Sequence, residues 1–132
     1  MIFVDSNVPM YLVGAEHPHK HASRRILERV IASSERLVTD VEVIQEILHR
    51  YAAIGRRDAI VPCIEALLGV VDEVLSVDLE DAIRARDLVL EHAAASARDA
   101  LHVAIMERHG VTRILSFDAG FERFAGLERV AE

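Results

Sequence analysis

Four carboxylates stand at positions suited to chemistry at the edge of a sheet. Asp5 closes the apolar run "IFV" and Asp118 closes "RILSF", so each ends a segment that reads as strand. Strands enclosed on both faces of a parallel sheet read as short apolar runs, and ligands bind outside their carboxyl ends. If these two strands are neighbours, Asp5 and Asp118 face each other across one crevice. Asp99 falls in the first turn of the helix that leads into the second strand, and Glu46 lies in an earlier helix one turn beyond Glu42.

Each acid taken alone has a structural explanation. Asp5 can cap the turn that follows it, and both Ser96–Asp99 and Thr39–Glu42 have capping-box spacing. The box at Thr39 accounts for Glu42 and leaves Glu46 without a role. Together the acids repel, because two unit charges 4 Å apart cost about 4 kcal/mol at an effective dielectric near 20. A cation should therefore sit among them. Oxygen ligands without His or Cys select a hard ion, Mg²⁺ or Mn²⁺, of the kind that bridges carboxylates and a phosphate.

Other chemistries fit less well. A haloacid-dehalogenase-type phosphatase needs a second Asp two residues after the first, where this chain has Asn7. A receiver domain needs an acidic pair and a Lys after its last strand, and the only lysine is Lys20. The tract "HPHKH", with His17, His19 and His21, offers ligands for Zn²⁺ or Ni²⁺, but no Cys or acid completes a tetrahedral set, so it reads as an exposed loop. His102 reads as a helix-packing or supporting residue beside Asp99. The lone Cys63, among Ile60, Val61, Ile64 and Leu67, reads as a buried structural thiol.

The elements that must position the acids follow from periodicity and stop signals. Strands are expected at 2–4, 36–38, 74–77, 113–118 and near 127–131. Ile26, Leu27, Val30 and Ile31 give a helix from Ser23, and Val43, Ile44, Ile47, Leu48 and Tyr51 another that Gly55 stops. Further helices are expected over 59–69, from the cap Asp78 to about 92, and over 97–109 after the cap Ser96. Alternating strands and helices imply a parallel sheet covered on both faces. A length of 132 residues is that of one domain, 1–132, able to bury about 70% of its unfolded surface. No apolar run is long enough for a membrane span and no secretory leader opens the chain, so the expected location is the cytoplasm.

A net charge of −7 argues against a broad basic footprint, but an acid-lined metal site would account for several of the carboxylates. Positive charge is nearly all arginine, clustered at Arg24, Arg25 and Arg29 and again at Arg50, Arg56 and Arg57. Arginine's planar fork suits phosphate, and Arg56 and Arg57 are the pair expected to contact a phosphate backbone.

"IFVDSN", "TDVEVIQEIL", "ARDALHVAI" and "ILSFDAGF", in that order across nearly the whole chain, resemble the four acidic motifs of PIN-domain ribonucleases. Length and spacing are most similar to the VapC-type toxins of toxin–antitoxin pairs. The resemblance implies a three-layer α/β/α sandwich on a parallel five-stranded sheet and Mg²⁺- or Mn²⁺-dependent endoribonuclease activity on transfer or ribosomal RNA. It also implies a homodimer and a cognate VapB-type antitoxin. Asp5, Glu46, Asp99 and Asp118 match the family's catalytic acids. Asp5, Asp99 and Asp118 would hold the metal, while Glu46 would complete the acidic wall or orient water. Ser6, Asn7 and Ser116 would hydrogen-bond the carboxylates; Ser116 stands where the family more often has Thr. A housekeeping PIN nuclease without an antitoxin, or an inactive RNA-binding PIN module, are the alternatives.

Overall fold

The computed structural model describes residues 1–131. Among them, five parallel strands form one sheet: β1 (Ile2–Val4), β2 (Leu37–Asp40), β3 (Glu73–Leu75), β4 (Arg113–Leu115) and β5 (Glu128–Val130), in the spatial order β3-β2-β1-β4-β5. β1 is central and wholly buried, with Phe3 opposite Val38 on one side and Ile114 on the other. Such short strands are specified by the continuous apolar run rather than by alternation, since both faces of β1 are covered.

Six α-helices connect them: α1 (Asn7–Val13), α2 (Pro18–Ala32), α3 (Val41–Ala53), α4 (Ile60–Val70), α5 (Leu79–Glu91) and α6 (Ala97–Arg108). The chain runs outward from β1 to β2 and β3, then returns across the sheet to β4. Right-handed crossovers therefore place α1 to α4 on one face and α5 with α6 on the other. The helix contacts agree, with α1 against α2 and α4, and α5 against α6. The result is the expected three-layer α/β/α sandwich. One core joins Phe3, Ile26, Leu67, Ile105, Met106 and Ile114 through both layers. No helix among the described residues is long and apolar enough to cross a membrane.

Several boundaries differ from the sequence expectation. Residues 7–13, given no element above, form α1: a helix this short shows too little periodicity to detect, and its start at Ser6 has no side-chain cap. α2 begins at Pro18, not Ser23, so the histidine tract is the first turn of a helix instead of a loop. Pro18 at the first helical position and the His17 side chain, whose Nδ1 accepts from the His19 backbone N–H at 3.0 Å, set that start. Thr39 does not cap α3. It lies in β2, where its hydroxyl donates to the Val4 carbonyl at 2.8 Å, and Asp40 takes the cap by accepting from the Val43 N–H at 2.8 Å. β4 stops at Leu115, which releases Ser116, Phe117 and Asp118 into the loop beyond the strand end.

Candidate active site

Sheet order decides where the carboxyl ends meet. The chain departs from β1 towards β2 on one side and later returns to β4 on the other, so the crevice at β1 and β4 is the topological switch point of the sheet. Asp5 leaves the end of β1 and the loop carrying Asp118 leaves the end of β4. The strand ends are stitched together by the Asp5 N–H, which donates to the Leu115 carbonyl at 3.1 Å.

The Asp5 carboxylate is buried and held from several sides. The Ser6 N–H donates to Oδ1 at 2.8 Å, and Ser116 Oγ and Asn7 Nδ2 donate to Oδ2 at 2.7 and 3.3 Å. Ser116 Oγ also accepts from the Asp118 N–H at 3.0 Å, while Asn7 Oδ1 accepts from the Phe117 N–H at 3.3 Å. Ser6, Asn7 and Ser116 thus tie both strand ends to one carboxylate. Despite these donors the Asp5 carboxyl is raised to about 6: burial is the main cause and the nearby Glu46 charge adds to it, against the lowering pull of His102 and Ser116.

Glu46 comes from α3 and is buried, accepting from the Ser6 hydroxyl. Arg98, in the first turn of α6, reaches Glu46 at 3.2 Å and Glu42 at 3.6 Å. Asp99 is the next residue. Its N–H donates to the Ser96 hydroxyl at 3.0 Å, so Ser96 is the cap, and the half-buried Asp99 carboxyl is pushed up first by burial and then by the charges of Asp118 and Glu46. Asp118 is exposed, and its Oδ1 accepts from the Gly120 N–H at 2.8 Å. A cavity of about 270 Å³ is lined by Asp5, Ser6, Asn7, Glu46, Arg50, Ser96, Arg98, Asp99 and Asp118.

That wall is short of positive charge. Arg98 faces Glu46, but among the described residues none of the three aspartates is paired with an Arg or Lys. Among the described residues no three Asp, Glu, His or Cys side chains are gathered closely enough to hold a metal ion as they stand. The donor set nevertheless suits a hard divalent cation in kind: the acids and the serines around them offer carboxylate and hydroxyl oxygens, and Asp5 and Asp99 are raised first by burial and then by neighbouring carboxylates, Glu46 for Asp5 and Asp118 with Glu46 for Asp99, whose charge a cation would offset.

Behind the cavity, Asp40 and His102 form a pair in which neither side chain is exposed, Nδ1 to Oδ2 at 2.7 Å. The same Asp40 caps α3, the helix of Glu46, and His102 is one turn beyond Asp99 on α6, its ring 5.3 Å from that of Phe3 on β1. The pair therefore locks three acid-bearing elements to one another. Burial alone would lower the imidazolium, but Asp40, then Asp5 and Glu46, raise it to about 9.

Arg56 and Arg57 are not brought to the cavity; they follow the end of α3, where Arg56 makes a two-point contact with Asp58 at 3.0 and 3.1 Å. The arginines that line it are Arg50 and Arg98. Arg50 was detectable as the residue one turn after Glu46. Arg98 carries a subtler signal, a cation in a first turn, where the helix dipole disfavours it, immediately before an acid. Cys63 is buried, its thiol raised to about 11 by burial, in keeping with a structural role.

The PIN domain family model matches residues 2–127. The chain belongs to the PIN domain family. It is 56% identical over 131 residues to Ribonuclease VapC13 of Mycobacterium tuberculosis, covering 99% of this chain and 100% of that one. Among solved structures the fold is similar to that of Mycobacterium tuberculosis VapC20, described as a Sarcin-Ricin loop cleaving toxin, at a TM-score of 0.76 and 23% identity over 100% of both chains. It is also similar to a toxin–antitoxin complex from Klebsiella pneumoniae, at a TM-score of 0.68 and 14% identity over 96% of this chain and 95% of that one. These PIN relatives place the chain in the VapC branch, and the two solved structures speak for the fold alone.

Proposed function

We propose that the protein is a VapC-type endoribonuclease that hydrolyses RNA phosphodiesters at the carboxylate cavity with Mg²⁺ or Mn²⁺. The observation that supports this most is the meeting of Asp5, Glu46, Asp99 and Asp118, from four separate segments, around one cavity at the switch point of the sheet. Asp5, Asp99 and Asp118 would hold the cation directly or through water. The bound cation would supply charge neutralisation at the scissile phosphate and a lowered pKa for attacking water.

The chain's own residues do the rest. Asp5 is fixed by Ser6, Asn7 and Ser116, so its carboxylate does not reorganise when substrate arrives. Glu46, restrained by the Ser6 hydroxyl and by Arg98, completes the acidic wall and can orient water or accept its proton. Arg50 and Arg98 offer guanidinium groups to the substrate backbone at the rim. Water, and neither a protein side chain nor the ribose 2′-hydroxyl, would attack the phosphorus in line, forming the new P–O bond as the bond to the ribose 3′-oxygen breaks, so the expected products carry a 5′-phosphate and a 3′-hydroxyl.

Incubating the purified protein with cellular RNA tests the reading. Cleavage with Mg²⁺ or Mn²⁺, lost in excess EDTA and restored by adding the ion back, is the expected result; cleavage that persists in EDTA contradicts it. A small VapB-type antitoxin, a homodimer and a cytoplasmic location complete the proposal. They rest on membership of the VapC branch and on the occurrence of the fold in a toxin–antitoxin complex.

A further inference from the structure

The "HPHKH" tract is not absorbed by the nuclease mechanism, yet its His17 lines a cavity that shares Asn7 and Arg50 with the carboxylate cavity. Its histidines are each engaged. His17 caps α2 through Nδ1, His21 pairs with Glu16, and His19 stacks on Phe117 with ring centroids 4.1 Å apart and planes 12° from parallel. Tyr11 from α1 joins them, its ring 4.8 Å from His17, 4.9 Å from His19 and 5.4 Å from Phe117. The chain has no Trp and only 5% aromatic residues, so the meeting of Tyr11 and Phe117 here is a concentration.

This cluster adjoins the acids. Phe117 lies between Ser116 and Asp118, and its N–H donates to the same Asn7 whose amide touches Asp5. A second cavity, of about 390 Å³, is lined by Asn7, Met10, Tyr11, His17, Arg50 and Tyr51 among others, and shares Asn7 and Arg50 with the carboxylate cavity. Tyr11 and His17 bring aromatic rings to its lining, and Arg50 brings a guanidinium shared with the acidic cavity. Single-stranded RNA is recognised by such surfaces, with bases stacking on Tyr, Phe and His while arginine meets the phosphate.

We propose that Tyr11 and His17, backed by His19 and Phe117, form a stacking platform for the nucleobase of a nucleotide beside the scissile phosphate of single-stranded RNA. The platform rests on the nuclease reading for which phosphate is cut. The guanidinium of Arg50 spans the two cavities and contacts the phosphate between base and cleavage site. A ribose-phosphate backbone alone would have no use for the aromatic wall, so the platform confers a requirement for an unpaired base at that position.

A short single-stranded oligoribonucleotide carrying a fluorescent purine analogue, bound to cleavage-deficient Asp99→Asn protein without hydrolysis, reads the stack directly. Quenching on binding is expected, and the same oligonucleotide with abasic units should bind about tenfold more weakly. Tyr11→Leu with His17→Asn keeps apolar volume and the helix-cap acceptor but removes both rings, so quenching should disappear while Tyr11→Phe alone retains it. Equal affinity for the abasic oligonucleotide, which needs no ring variant to fold, overturns the platform, as does unchanged quenching in the double variant. Cleavage of cellular RNA by wild-type protein, run alongside, separates the two failures: its presence with no stacking leaves the nuclease standing, and its absence removes the nuclease reading itself.

Discussion

Asp40 and His102 pair out of reach of solvent, and the residue-scale consequences are large. Removing one partner strands a charge in the core, so Asp40→Ala should lower unfolding free energy by about 3–5 kcal/mol, measured by urea denaturation. The pair also sets a pH dependence. The folded-state pKa of His102 is about 9, above its ordinary 6.5, so the folded chain binds this proton more tightly than the unfolded one. Its stabilisation is fully present below about pH 6.5 and is lost as pH rises through about 9. Comparing wild type with an Asp40→Asn, His102→Leu double variant across that window isolates the effect: the wild type should lose stability relative to the double variant. Parallel curves would show that the histidine is not charged in the fold.

At the scale of elements, α6 does most to build the site, because one helix carries the cap Ser96, then Arg98 and Asp99, and finally His102 one turn deeper. Ser96→Ala should cost about 1 kcal/mol in thermal unfolding and slow RNA cleavage, since the cap sets the first turn from which Asp99 projects; Ser96→Thr should restore both. A cleavage rate untouched by the loss of the cap would detach Asp99 from the chemistry. Much of this architecture is legible in the sequence because it is carried by local signals: apolar runs for buried strands, period for α3, caps at Asp78 and Ser96. What was not legible depends on tertiary context. Thr39 and Asp40 are adjacent and both able to cap, and only the pairing of β2 with β1 turns the Thr39 hydroxyl towards Val4 and leaves Asp40 free to cap α3. α1 is too short to show a period, and nothing local to Arg56 and Arg57 tells that they follow the end of α3 away from the cavity, which Arg50, one turn beyond Glu46, lines instead.

At the scale of the molecule, the chain carries a formal charge of −7 and gathers four carboxylates around one cavity, so under the proposed function a bound cation and the arginines lining the cavity would have to offset their repulsion of substrate phosphates. The same charge suits an inhibitor that inserts an arginine among the aspartates, where charge-assisted bonds are strong. Production of the chain alone should arrest bacterial growth, and production of a small antitoxin from the adjoining gene should restore it; growth that continues while active protein accumulates leaves the nuclease and removes the toxin. Leu79 and Leu90 are 78% and 79% exposed, apolar area of the kind that partner surfaces cover, and light scattering of the purified protein reads the expected homodimer. The most direct test of the account compares RNA cleavage by wild type and Asp99→Asn in Mn²⁺, with circular dichroism to confirm that both are folded. Removal of one carboxylate charge with its shape kept should lower the cleavage rate at least about a hundredfold without unfolding the protein. A folded Asp99→Asn protein that cleaves RNA at the wild-type rate would contradict the claim that the carboxylate cavity is the catalytic centre.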